Sequence, residues 1–108
     1  MTVEPEPMTV KLTDTGYLQL PVDLAERYFP FDLLFAVVRG KELWLLPARG
    51  AGGGGLLLKR RNARGDRSVL IREIIPETPP GSLPAFWDER QSALRVALPA
   101  SEPASDAR

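Results

Sequence analysis

Leu33-Leu34-Phe35-Ala36-Val37-Val38-Arg39-Gly40-Lys41-Glu42-Leu43-Trp44-Leu45-Leu46 decides the fold. Two apolar runs flank a short polar insert with a glycine in it, which is the pattern of a β-hairpin. The runs are apolar at successive positions instead of alternating, so both faces of the ribbon ask for burial. The whole chain has 108 residues, and a domain of that size has little material to cover two faces of one hairpin. The expectation is a partner chain, most simply a second copy in a homodimer.

Working outward, Met8-Thr9-Val10-Lys11-Leu12 alternates at period two, Asp14-Thr15-Gly16 is a turn, and Tyr17-Leu18-Gln19-Leu20 is the returning strand. Pro21 opens a short helix over 22–29, with Asp23 near its start, Arg27 near its end and Pro30 beyond it. After the apolar hairpin, residues 49–55 are a glycine-rich linker. Leu56–Arg61 and Ser68–Ile75 are expected to pair as a third hairpin around Asn62-Ala63-Arg64-Gly65-Asp66. Pro76–Pro84 is a proline-rich loop. Ala85–Asp88 and Ala93–Leu98 form a fourth hairpin. The predicted class is all-β, mainly antiparallel hairpins in a small barrel-like arrangement, with one short helix. The predicted organisation is a disordered tail over 1–7, a first half over 8–48, the linker, a second half over 56–99 and a disordered tail over 100–108. Whether the halves make one barrel or two lobes stays open.

Composition excludes much. There is no Cys and no His, so a disulfide framework, a Cys/His zinc site and an imidazole base are all absent. Fourteen basic residues balance fourteen acidic ones, which argues against a strongly electrostatic, non-specific nucleic-acid binder. No run approaches the ~18 apolar residues that span a bilayer, and Met1–Pro7 has neither a basic nor an apolar region of a signal peptide. A cytoplasmic protein is expected, with no membrane contact and no cofactor. Gly50–Gly55 has no Gly-Lys-Ser/Thr after it, so it is not a phosphate loop. Arg64-Gly65-Asp66 matches an integrin-binding tripeptide, but turn chemistry explains all three residues.

The stretch Val10–Pro47 resembles the AbrB/SpoVT family of swapped-hairpin domains. The pattern is a strand, an Asp-x-Gly turn (Asp14-Thr15-Gly16), a strand ending in Leu20-Pro21, a short helix, and a hairpin ending in Leu45-Leu46-Pro47. The resemblance implies two chains interlacing hairpins into one barrel, and DNA contacts from basic residues near the first turn. This sequence has Tyr17 where the family usually places Arg after the turn glycine, and Lys11 is the one basic residue of the first hairpin. Residues 56–99 have no counterpart in that pattern.

The charge cluster is Lys59, Arg60, Arg61, Arg64, Arg67 and Arg72, six basic residues in 14 positions opposed only by Asp66. It suits an acidic protein surface or phosphates, and equally a solvated hairpin whose charges block edge-to-edge association. Phe86 and Trp87 are neighbours on a strand, so one faces the core and the other is a candidate partner contact; Trp44 is expected in the core. The carboxylates Asp14, Asp23, Asp32, Asp66, Glu73, Asp88 and Glu89 complete no acid–base pair, and Asp88-Glu89 alone makes a weak cation site. Two functions follow as expectations. The first is a non-enzymatic accessory or assembly subunit, docking on a larger protein through Lys59, Arg60, Arg61, Arg64, Arg67 and Trp87. The alternative is an AbrB-like transcriptional regulator or antitoxin, placing Lys11, Arg60, Arg61, Arg64 and Arg67 on DNA.

Overall fold

The computed structural model describes residues 8–49 and 55–99. The expected tails 1–7 and 100–108, and linker residues 50–54, lie outside them. The described chain forms β1 (Met8–Leu12), β2 (Tyr17–Leu20), α1 (Val22–Tyr28), β3 (Leu33–Arg39), β4 (Glu42–Pro47), β5 (Leu56–Leu57), β6 (Lys59–Arg60), β7 (Arg67–Leu70), β8 (Gly81–Asp88) and β9 (Ala93–Ala97). All pairings are antiparallel, in the order β5-β3-β4-β9-β8-β1-β2-β7-β6. The two ends of that order, β5 and β6, are separated in sequence by Leu58 alone. One run of chain therefore closes the sheet into a nearly complete barrel, and the two sequence halves share it.

Alternation sets which side chains fill the barrel. Val10, Leu12, Leu18, Leu20, Leu34, Leu43, Leu45, Val69, Leu83, Ala85, Leu94 and Val96 point inward and are buried. Paired positions confirm one inner face: Val10 sits opposite Leu83, Leu18 opposite Val69, Leu43 opposite Val96 and Leu45 opposite Leu94. The inner face of the apolar hairpin is thus covered by β9 and the rest of the same chain. Its outer face is not: Phe35 and Val37 are 41% and 45% exposed.

The two turns of α1 bury Leu24 and Ala25, with Phe29 behind them as the C-cap. Tyr28 stacks on Trp87 with ring centroids 4.2 Å apart. Asp32 follows in the left-handed region at φ +57°, a conformation aspartate tolerates better than most residues, and this turns the chain into β3. In the first hairpin Gly16 has φ +93°, and a Cβ there would collide with Arg72 Cβ, so the turn needs glycine for conformation and for space.

Three expectations are corrected. The third hairpin is split: Leu56–Leu57 pairs with Leu33–Leu34 of β3, while Lys59–Arg60 pairs with Arg67–Ser68 of β7. A strand through Ile75 does not form, because the Ile71 amide donates to Gly16 O and the next residues coil, with the Ile74 and Ile75 amides both donating to Ile71 O. The first strand of the fourth hairpin, β8, starts earlier than expected, at Gly81, and includes Pro84. There β8 pairs with β1 only, and its pairing with β9 starts at Ala85, so the missing proline N–H has a side without a ladder to face.

Closure gives a test. Leu58 is 3% exposed and its amide donates to Asp32 O at 2.8 Å, whereas Leu57 is 55% exposed. Leu58→Ala is expected to cost about 2–5 kcal/mol in urea unfolding, and Leu57→Ala less than about 0.5 kcal/mol. Equal losses would show that the closing strand does not anchor the barrel.

Candidate functional site: the cationic face around Asp66

The register of the strands builds the site. Outward positions on β8, β1, β2, β7 and β6 align as one row, Ser82–Lys11–Gln19–Ser68–Lys59. Tyr17 and Leu70 form the next row on the same face and are 40% and 46% exposed. Past Lys59 the chain enters the loop 61–66, which folds back beside this face.

Asp66 organises that loop. Its Oδ2 accepts from Arg64 Nη2 at 2.8 Å, from Arg64 Nε at 3.1 Å and from Asn62 Nδ2 at 3.0 Å. Its Oδ1 accepts from the Val22 amide at 2.9 Å, so a carboxylate 44 residues downstream satisfies one of the unpaired N–H groups at the start of α1. Asn62 Oδ1 in turn accepts from the Gly65 and Asp66 amides. The Arg64 and Asn62 hydrogen bonds, helped by the Val22 amide and opposed by burial, hold the Asp66 carboxyl down at about 2. Arg64 is raised correspondingly by Asp66.

The six clustered cations therefore have different fates. Arg67 points inward, 9% exposed, with Nε donating to Asp32 Oδ1 at 2.9 Å and Nη1 donating to Gly65 O. It is a structural cation and is corrected as a contact residue. Arg64 is mostly exposed but is bound to Asp66. Arg61 lies 3.9 Å from Asp66, and with the Gln19 amide turned oxygen-first its Nη2 and Nε donate to that oxygen at 3.1 and 3.2 Å. Lys59 and Arg60 are exposed, and neither they nor Lys11 take part in an ion pair among the described residues. Arg72 packs along the turn at Gly16.

Lys11, Gln19, Arg61 and Arg64 line one cleft of about 400 Å³, with Asp66 in its wall and Pro21 and Val22 on its apolar side. The sequence separates Lys11 from Arg61 by fifty positions; β2 and β7 bring them to one opening. Gln19 was missed as a member, although its pairing with Lys11 follows from the hairpin register.

The aromatic expectations shift. Trp87 faces the barrel mouth, half-buried against Tyr28, with Nε1 donating to Glu89 Oε1. Phe86 is the outward ring, under the Arg95 guanidinium. Trp44 is also outward, not core. Arg39 and Arg95 both lie over it, at 4.7 and 4.8 Å, and Arg95 is fixed by Glu42 and Asp88 at 2.8 Å each. Asp88 is spoken for as well: Arg95 lowers its pKa, and its Oδ1 accepts the Arg90 and Gln91 amides of the turn. Among the described residues no group of three or more His, Cys, Asp or Glu side chains is placed to hold a metal ion, and no helix is long and apolar enough to cross a membrane. No family model, curated protein or solved structure matches the chain.

The depressed Asp66 carboxyl gives a pH dependence of known sign. Its folded value lies below the unfolded one, so its stabilisation is complete above about pH 4 and is lost as pH falls toward about 2. Asp66→Asn is expected to melt several degrees lower at neutral pH. Its deficit against the native chain should shrink between about pH 4 and pH 2 in calorimetry; a constant deficit would remove Asp66 from its place at the centre of the loop.

Proposed function

We propose that this chain is a non-enzymatic interaction module, an accessory or assembly subunit that docks on a larger protein in the cytoplasm. One observation carries the reading. The exposed apolar side chains Phe35, Val37 and Leu57 and the cationic side chains Lys59, Arg61 and Lys11 form outer surfaces that meet at the closing strand, where Leu57 and Lys59 point outward on either side of inward Leu58. The barrel interior is filled by side chains, so recognition is left to the outside. An apolar patch beside exposed cations suits a protein surface in which acidic residues border aliphatic ones. A second copy on the Phe35–Val37 face fits the same chemistry and is part of the proposal.

A specific observation also favours the alternative, an AbrB-like DNA-binding regulator or antitoxin: Lys11 opens on the same cleft as Arg61 and Arg64, with Arg60 nearby in sequence. Arg67, turned inward, adds no phosphate contact. Four contacts from the remaining cations would give a log K against log salt slope of about −3.6.

The chain, tagged at its own locus, is expected to co-purify with one stoichiometric protein and to lose it in the Lys59→Glu/Arg60→Glu double variant, whose Tm stays within about 2 °C because neither side chain is buried. A partner retained at native stoichiometry overturns the docking reading. A duplex shift at low salt with the slope above, abolished in the same variant, installs the regulator instead.

A further inference from the structure

We infer that the cleft beside Lys11 is a carboxylate pocket, and that its ligand is an acidic peptide segment with an aliphatic side chain next to the acid. The inference rests on the docking reading and names the partner's chemistry at that face. The donors come first. Lys11 has no ion-pair partner among the described residues, so its ammonium is free to meet an anion. Arg61 is held toward the cleft by Gln19 but makes only a long contact of 3.9 Å with Asp66, so its guanidinium keeps donors to spare. Arg64 is anchored by Asp66 and forms wall more than donor.

The rest of the cleft selects among anions. Pro21 and Val22 contribute an apolar side, which favours a ligand with hydrocarbon beside its charge. Asp66, its carboxyl held down at about 2, is negatively charged at neutral pH, and its presence in the wall weighs more against a phosphate dianion than against a single carboxylate. A cleft of about 400 Å³ holds a few side chains; a duplex backbone would instead need phosphates tracked along an extended basic surface. The position of Val22 is itself set by Asp66, through its amide, so the apolar side and the charged side are fixed to each other.

The test uses the full chain and fluorescein-labelled hexapeptides in fluorescence anisotropy. A Glu–Leu alternating peptide is expected to bind, and its Gln–Leu counterpart to bind at least about tenfold more weakly. Lys11→Gln and Arg61→Gln should each weaken the Glu–Leu peptide by about tenfold, with unchanged Tm. Val22→Ala should weaken the Glu–Leu peptide and leave a Glu–Ser peptide unaffected, which a purely electrostatic patch would not do. Equal binding of the Glu and Gln peptides, or Glu–Leu binding indifferent to both charge variants, overturns the carboxylate pocket. Inorganic phosphate or duplex DNA displacing the peptide at concentrations below that of free glutamate peptide also overturns it, in favour of a phosphate site. The two levels separate cleanly. If Lys59→Glu/Arg60→Glu releases the cellular partner but the peptide ignores Lys11 and Arg61, docking stands and the cleft falls. If the peptide behaves as expected and the partner stays bound, the cleft stands and docking falls.

Discussion

The fold depends on how six residues, Gly55 to Arg60, spend their backbone hydrogen bonds. Leu56 and Leu57 add to β3, Lys59 and Arg60 add to β7, and Leu58 between them sends its side chain into the core and its amide to Asp32 O. A sheet of this order left open would present β3 and β7 as two edges with unpaired backbone groups, each a template for another strand. One strand broken by a single residue joins both edges. The cost is that neither β5 nor β6 can be long, because the barrel must turn a corner at Leu58. That same corner puts Leu57 and Lys59 on the outside together, so closure and the meeting of the apolar and cationic surfaces have one cause.

Asp66 does for the loop what Leu58 does for the sheet. A hairpin tip with several arginines would splay by mutual repulsion. Instead one carboxylate gathers Arg64 and Asn62, approaches Arg61, and caps α1 from a distance. Arg67 is drawn the opposite way, to Asp32 just before β3. The two carboxylates thus split the basic cluster into structural members and free ones. The free ones are Lys59 and Arg60, adjacent on the two-residue β6 and so on opposite faces of it, and Lys11 across the sheet; none of the three is in an ion pair among the described residues.

The sequence made the local hairpins legible. The ribbons 8–20, 33–47 and 85–98 and the helix after Pro21 follow from alternation, glycine turns and proline stops, and the structure has them within a residue or so, apart from the earlier start of β8. What could not be read was which strand lies beside which when the partners are far apart. Nothing in Leu56-Leu57-Leu58 says that Leu56 and Leu57 add to β3, that Leu57 is left exposed and that Leu58 turns into the core. Nothing in Ile71–Ile75 says that the chain runs out of sheet after Leu70. The site suffered from the same blindness. Arg67 and Arg64 are two positions on either side of Gly65–Asp66 and look alike in sequence, but Arg67 pairs across to Leu20 on the inner face while Arg64 stays in the loop. Trp44 and Trp87 exchange their expected places for a related reason. The parity of a doubly apolar strand is undetermined until its neighbours are known, and here Leu43 and Leu45 take the inside, leaving Trp44 to be covered by two arginines.

Net neutrality then shapes how such a surface can work. With fourteen charges of each sign, the chain projects little long-range field, and at physiological salt exposed charges beyond about 8 Å are largely screened. Lys11, Lys59, Arg60 and Arg61 act only on what is already close. Attraction from a distance, on which sequence-independent nucleic-acid binding relies, is weak for this molecule. On the proposed docking reading, selectivity would come from short-range fit: which anion Lys11 and Arg61 take, and whether hydrocarbon accompanies it to Pro21 and Val22. A neutral barrel with one local cationic opening is better suited to picking out a particular acidic segment than to gathering polyanions, and this is the physical ground for placing the protein partner ahead of DNA.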